Sequence, residues 1–417
     1  MYYGYEIRKD LVDLANMAED ELKKTFAHFE EVCTFNSAKV LKAFQENKVG
    51  TSDFAEITGY GYSDAGREKL ERIYAQIFNT DDALVRPQIM SGTHALYLAF
   101  SGLLKSGDTF ISISGEPYDS LKTIIGLTGE SRNSLIKNGI KYEQIELFKD
   151  DFDIATITNR LKKGGVKLVE IQRSRGYSQR KSLSIAKIER VINAIREVDE
   201  NVIIMVDNCY GEFVEKLEPT DVGADLVVGS LIKNLGGGEV KTGGYIAGKV
   251  NLIEDIAERF SAPGLGKEIG ANLNQLLSFY KGLFNAPQVV KNSLKTMAFA
   301  SYMMEKLDFS VDPKFNEERT DIIQTITLNN EVNLVNFCRG IQFGSPVESF
   351  VVPYPAPMPG YPDDEVMAGG SFIGGSTVEL SCDGPVKPPY TAFMQGGLTY
   401  EYGKLGIMIG LNRILIG

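Results

Sequence analysis

The stretch Asp225 to Gly248, DLVVGSLIKNLGGGEVKTGGYIAG, decides how the rest of the chain is read. A short apolar strand, Leu226 to Val228, runs into a Gly-Ser turn and then Lys233. Gly236, Gly237 and Gly238 follow, then Gly243 and Gly244, then a second apolar strand from Tyr245 to Ala247. Lysines normally occupy solvated helix faces or loop tips. One framed by buried strands and glycine stands where the backbone approaches something closely. Upstream, Asp207 ends another apolar run, Val202 to Val206. A Gly-rich turn with a surface lysine would look the same in isolation, so the rest of the chain must decide.

The chain has 417 residues, more than one core usually supports, so two domains are expected. Hydrophobic residues make up 43%, an ordinary globular balance. A net charge of -11 argues against nucleic-acid backbone binding as the main task. Four scattered cysteines without a CxxC, and two histidines, His28 and His94, argue against a metal site or a disulfide framework. The first residues, MYYGYEIRKDLVDLAN, carry charges inside any apolar stretch and do not read as a signal peptide. No apolar run approaches membrane-spanning length, and a cytoplasmic location is expected.

Residues 10–31 are spaced as an amphipathic helix, and a short helix is predicted near Ser37 to Gln45 with Ser37 as N-cap. Residues 1–50 read as an N-terminal helical arm. Ser63 is the expected cap of a helix running to Phe78. From Leu84 the pattern alternates strand, loop and helix: strands at 84–89, 109–113, 166–171, 202–206 and 226–228, helices at 95–105 and 185–198. That alternation predicts an α/β domain, 51–287, with a mostly parallel central sheet covered on both faces. After Gln288 a helix to Lys306 leads into shorter strands, predicted at 322–328, 350–352 and 407–411. Pro/Gly-rich loops connect them, which reads as a smaller α+β domain, 288–417.

An acid ending one buried strand and a lysine following the next are the two fixed charges that pyridoxal phosphate needs. The lysine forms the Schiff base and the acid keeps the pyridine nitrogen protonated. Ser91-Gly92-Thr93 lies between a strand and a helix start, where N–H groups, a hydroxyl and the helix dipole converge on an anion. Ser230 is three residues before Lys233, within reach of the same phosphate. Tyr118, in GEPYDSL, is placed to stack on a flat ring. Arg173 and Arg175, in QRSRGY just past a buried strand, suit a substrate carboxylate, or else form a solvated basic turn.

Several of these strings resemble one family. VDNCYG resembles the VDNT-type motif of the Cys/Met-metabolism pyridoxal-phosphate enzymes, GSLIKN their lysine motif, and MSGTHAL their phosphate turn. GYGYSDAGREKLE, QRSRGYSQRKSL and QGGLTYEYGKLGI resemble more closely the methionine γ-lyase-like, cystathionine β-lyase-like or aluminium-resistance branch. The resemblance implies the aspartate-aminotransferase-like fold (fold type I) and a homotetramer of two intimate dimers. It implies Lys233 as the Schiff-base lysine, Asp207 as the pyridinium partner, and Gly92, Thr93 and Ser230 on the phosphate. Tyr118 would stack on the ring and take part in elimination, and Tyr62 would reach the neighbouring subunit's phosphate.

The chain departs from that pattern twice. Ile232 stands where a phosphate-binding threonine is usual, and Gly406 stands where the substrate-carboxylate arginine is usual. The carboxylate then falls to Lys404, Arg413, Arg173 or Arg175. The implied activity is a carbon–sulfur lyase acting on a methionine- or cystathionine-type amino acid. Transamination, γ-replacement and a non-catalytic ligand-sensing module on the same fold are the alternatives.

Overall fold

The computed structural model describes residues 3–60, 64–358 and 363–416. Two helices open the chain, α1 (Lys9–Glu21) and α2 (Lys23–Glu46), separated at Leu22. The single helix expected over 10–31 is thus divided, and Ser37 lies inside α2 rather than capping a new helix. The reason is visible in the burial: Phe26, Phe29, Val32, Cys33, Asn36, Val40 and Ala43 form one stripe along α2. That stripe packs on the long helix Leu276–Lys306 of the same chain. Asn36 within it donates to the carbonyls of Phe213 and Glu215, fastening α2 to a loop beside the active site. The next helix, α3 (Ala65–Ile77), is capped by Asp64, whose carboxylate accepts from the Arg67 N–H. Ser63, the expected cap, lies outside the described residues.

Strands and helices then alternate: β1 (Asp82–Arg86), α4 (Gly92–Leu103), β2 (Thr109–Ser112), α5 (Asp119–Ile125) and β3 (Lys141–Gln144). A small ribbon, β4 (Leu147–Phe148) and β5 (Asp151–Phe152), precedes α6 (Ile154–Leu161). The series continues with β6 (Leu168–Gln172), α7 (Ile185–Arg196), β7 (Ile203–Asp207), β8 (Leu226–Ser230), β9 (Gly244–Gly248) and α8 (Val250–Phe260). Seven of these strands form one sheet in the order β1-β9-β8-β7-β6-β2-β3. Only β9 runs antiparallel to its neighbours; the other pairings are parallel. Every residue of β6, β7 and β8 is buried, as expected of a sheet covered on both faces. In register, Gln172 sits opposite Asp207 and Asp207 opposite Val228. Three strand ends are therefore level along the carboxyl edge, where ligands of open α/β sheets bind.

The helix expected from Gln288 begins earlier, as α9 (Leu276–Lys306), and Pro287 lies within it. A proline removes one helical hydrogen bond. Here Leu283, Ala286, Val289 and Val290 are buried on both sides of it, and burial holds the helix together. The boundary expected at 287/288 falls inside this helix. A second sheet follows, built from β10 (Ser310–Asp312), β11 (Gln324–Thr327), β12 (Ala356–Pro357), β13 (Asp364–Ala368), β14 (Ser381–Pro385) and β15 (Thr391–Gln395). Its order is β10-β11-β15-β14-β13-β12, antiparallel throughout. Helices α10 (Glu331–Phe343) and α11 (Tyr400–Ile416) pack against each other.

Two expected strands are absent from this part. Residues 350–352 have no regular structure, and Phe350 is 84% exposed. Residues 407–411 belong to α11. A short apolar run does not reveal its period, but the glycines around it do. Gly403, Gly406 and Gly410 are spaced by three and four, one helix face. A Cβ on Gly340 of α10 would stand 2.5 Å from the Gly410 Cα, so the two helix backbones touch there. Among the described residues no helix is long and apolar enough to cross a membrane.

Candidate active site

Lys233 lies just past β8 with its ammonium 3.9 Å from the centre of the Tyr210 ring. Tyr210 holds a left-handed backbone, φ +69°, which is costly for a bulky residue and is characteristic of functional turns. Asp207 ends β7, is buried, and accepts from the Cys209 N–H at 3.1 Å. Burial raises the Asp207 pKa, with Lys233 opposing the rise. Burial works against the Lys233 ammonium, but Cys209, Tyr210 and Asp207 around it outweigh burial and hold its pKa well above the lysine range.

The anion end is built by α4. The Ser91 hydroxyl accepts from the His94 N–H at 3.1 Å, and the Gly92 and Thr93 amides of the first turn have no intrahelical acceptor. A Cβ on Gly92 would lie 3.2 Å from both the Cys209 Sγ and the Ser230 Cβ, so glycine lets α4 seat closely against the end of β8. Thr93 Oγ1 is hydrogen-bonded to the Tyr118 hydroxyl at 3.3 Å and the Ser120 hydroxyl at 3.2 Å. The Tyr118 N–H donates to Gln172 Oε1 at 3.2 Å, which ties the tyrosine to the level strand ends. Burial raises the Tyr118 phenol, and Asp207 adds to the rise.

These groups share a cavity of about 1180 Å³, lined by Thr93, Tyr118, Asp207, Cys209, Tyr210 and Lys233. Gly92 and Ser230 are buried and are not among the residues that line it. Tyr62 lies outside the described residues. A ring bearing a phosphate and condensing with a lysine fits this set. It finds a glycine-built helix N-terminus for the phosphate, a buried carboxylate on a strand end, and an aromatic side chain between them.

The basic candidates are placed differently. Arg173 is fully buried outside the cavity lining. Its guanidinium donates to Asn208 Oδ1 at 2.8 Å, to the Gly211 carbonyl at 2.9 Å and to Glu215 at 2.7 Å. Glu218 stands 3.5 Å away, so Arg173 is occupied in holding the 208–218 loop. Arg175 lines the cavity but pairs with Asp312. Lys404 pairs with Glu19 of α1 at 2.5 Å, and Arg413 is exposed on α11. Gly406 lies at the α10–α11 crossing, where a Cβ would meet Leu380 Cδ2 at 2.4 Å. Its place in the chain is therefore a packing position.

Arg180, which sequence reasoning passed over, does line the cavity. It donates to the Gln172 and Ser174 carbonyls at 2.7 and 2.6 Å, and among the described residues it has no carboxylate in an ion pair. Burial lowers its pKa to about 10. It stands eight residues past the strand end, too far for position along the chain to mark it. Cys209, Tyr210 and Gln172 were also missed, although the strand-end rule that singled out Asp207 covers them. Near Lys233, Asn234 donates to the Glu212 carbonyl at 2.9 Å. The buried Glu212 carboxyl accepts from the Tyr245 hydroxyl at 2.9 Å, and burial pushes its pKa up to about 8.

A model of the methionine gamma-lyase family matches residues 11–415. The YnbB protein of Bacillus subtilis (strain 168) is 46% identical over 401 residues, covering 95% of this chain and 94% of its own. A solved carbon–sulfur lyase involved in aluminium resistance, from Clostridium novyi NT, is 44% identical with a TM-score of 0.94. That match covers 98% of this chain and 96% of the other. Apo CalE6, a methionine gamma lyase from Micromonospora echinospora, shares the fold at 16% identity and a TM-score of 0.57, over 86% of this chain and 87% of its own. The fold is that of the fold-type-I pyridoxal-phosphate enzymes, and with a family match spanning nearly its whole length the chain belongs to the methionine gamma-lyase family, which uses pyridoxal phosphate.

Proposed function

We propose that the protein is a carbon–sulfur lyase acting on a sulfur-containing amino acid of the methionine or cystathionine type, releasing a thiol, ammonia and a keto acid. The observation that carries this reading is the convergence of Lys233, Asp207 and Tyr118 with the Gly92–Thr93 turn on one cavity. Pyridoxal phosphate, when bound, supplies an electron sink for the pair left at the substrate α carbon. The chain supplies the rest. The N-terminus of α4 and the Thr93 and Ser230 hydroxyls would hold the phosphate. The Asp207 carboxylate would pair with the ring nitrogen and keep it protonated. Lys233 Nζ would hold the cofactor and, when free of it, would be placed to accept the α-proton. Tyr118, fixed through Gln172 and Thr93, would stack on the ring, and its hydroxyl would serve the departing sulfur.

Arg180 receives the substrate carboxylate in this reading, in place of Arg173, Arg175 or Lys404. The support is its position in the cavity without a carboxylate partner, whereas each of the others is engaged. The test is incubation of the holoenzyme with cystathionine, cysteine and methionine, measuring keto acid and thiol together. Release of both in equal amounts is expected from at least one. Keto acid without thiol, or no product from any of them, overturns the lyase reading.

A further inference from the structure

The cavity extends past Lys233 to the second sheet, whose strands β13 and β14 form its far wall. Met367 pairs with Asp383 and Glu365 with Pro385. These four side chains share one sheet face, and all four line the cavity. Glu365 and Asp383 are diagonal neighbours on that face, a relation that spans about 7–8 Å in antiparallel sheets. Asp383 is satisfied from within: its carboxylate accepts from the Tyr177 hydroxyl at 2.9 Å and from the Ala368 N–H at 3.3 Å.

Glu365 is not satisfied. It is 8% exposed, and among the described residues its side chain has neither a hydrogen bond nor an ion pair. The lysines that line this part of the cavity are already engaged: Lys387 pairs with Asp363, and Lys122 with Glu116 and Asp119. Burial pushes the Glu365 pKa up to about 7, with Asp383 adding to the rise and Lys387 opposing it. Its carboxylate opens into the cavity and meets no protein cation in an ion pair among the described residues, so a cation arriving from the cavity can pair with it. The cavity, about 1180 Å³, also exceeds the roughly 300–1,000 Å³ usual for small-molecule pockets, which leaves room beyond the cofactor for an extended substrate.

We propose that Glu365, with Asp383 beside it, is a distal subsite for an ammonium group, so that the preferred substrates are amino acids carrying a second amino group at their far end. The inference deepens the reading above and rests on it for the near end of the cavity. A substrate ending in a neutral alkyl group would leave Glu365 buried and unpaired. One ending in an ammonium pairs with it, while Arg180 holds the α-carboxylate at the other end.

L-Lysine and L-norleucine share a carbon chain and differ in the terminal ammonium, and neither contains a carbon–sulfur bond. Calorimetry on the holoenzyme is expected to show lysine bound at least about tenfold more tightly than norleucine. Glu365→Gln is expected to bring the two affinities together by weakening lysine alone, and Glu365→Asp to keep part of the preference. Unchanged norleucine binding in both variants reports an intact fold. Equal binding by the unaltered protein, binding of neither amino acid, or a preference that survives in Glu365→Gln overturns the subsite. If the lysine preference holds while no thioether yields keto acid, the lyase reading falls and the subsite stands. If thioethers are cleaved without the preference, the subsite alone falls.

Discussion

At the Lys233 end of the cavity the charged groups answer one another. Asp207 and Lys233 offset each other's burial, and Arg173 is surrounded by Glu215, Glu218, Asn208 and the Gly211 carbonyl. At the Glu365 end a carboxylate has no hydrogen bond or ion pair among the described residues, and Lys387 only partly offsets its burial. The first end is a scaffold whose geometry is fixed before anything binds. The second is incomplete until a ligand supplies the missing charge. On the proposed reading, the near end would fix the reaction and the far end would select the molecule.

The largest expected effect breaks the near end. Asp207→Asn leaves the shape of the site but removes the charge that, on the proposed reading, would hold a proton on the ring nitrogen. Turnover is expected to fall roughly a hundredfold or more with the cofactor retained, as measured by kcat and by cofactor content. Near-normal turnover would mean that Asp207 is a structural acid.

The next prediction concerns the arginine that the family usually places where this chain has Gly406. Gly406→Arg is expected to lower stability by about 1–3 kcal/mol, because its Cβ meets Leu380 Cδ2 at 2.4 Å and the longer side chain must displace it. No fall in KM should accompany it. A tighter substrate complex in thermal and kinetic measurements would place the carboxylate site at the C-terminal helix after all.

Arg180→Lys sharpens the comparison from the substrate side. Lysine cannot reproduce the planar fork, and KM is expected to rise about tenfold with kcat less affected. Arg173→Lys should lower the melting temperature and leave KM where it was. Exchanged outcomes would put Arg173 on the substrate.

The smallest effect lies beneath the site. Glu212 is held near a pKa of about 8 against an ordinary carboxyl value, so the folded protein keeps it neutral where the unfolded chain ionises it. Its stability contribution is fully present below the unfolded value and is lost as pH rises through the folded one. Glu212→Gln removes the titration and keeps an acceptor for the Tyr245 hydroxyl. The variant should gain about 1 kcal/mol or more over the original protein between pH 5 and pH 9, read as a widening gap in melting temperature. A constant gap would mean that Glu212 is not neutral in the fold.

The near end was legible in the sequence because each of its residues is framed by something periodic. Asp207, Ser230 and Lys233 follow continuous apolar strands, and Gly92 opens a helix directly after one. The far end has no such frame. β13 reads DEVMA and β14 reads SCDGP, short strands containing acids, glycine and proline, whose pairing comes from distant chain. Residues 407–411 show the converse failure: an apolar run read as strand is helix because its glycines meet α10. The arginines failed for a third reason. Arg173 and Arg175 stand where ligand contacts are expected, but acids from residues 215, 218 and 312 neutralise them, and only the folded chain brings those acids together.

The central claim is that Lys233 carries the cofactor. Borohydride reduction of the holoenzyme followed by peptide mapping tests it directly. The account predicts a single phosphopyridoxyl-modified peptide containing Lys233, and no modified peptide from Lys233→Ala that is folded by circular dichroism. Modification at another lysine, or a Lys233→Ala protein that still bleaches with borohydride and releases keto acid, would contradict it.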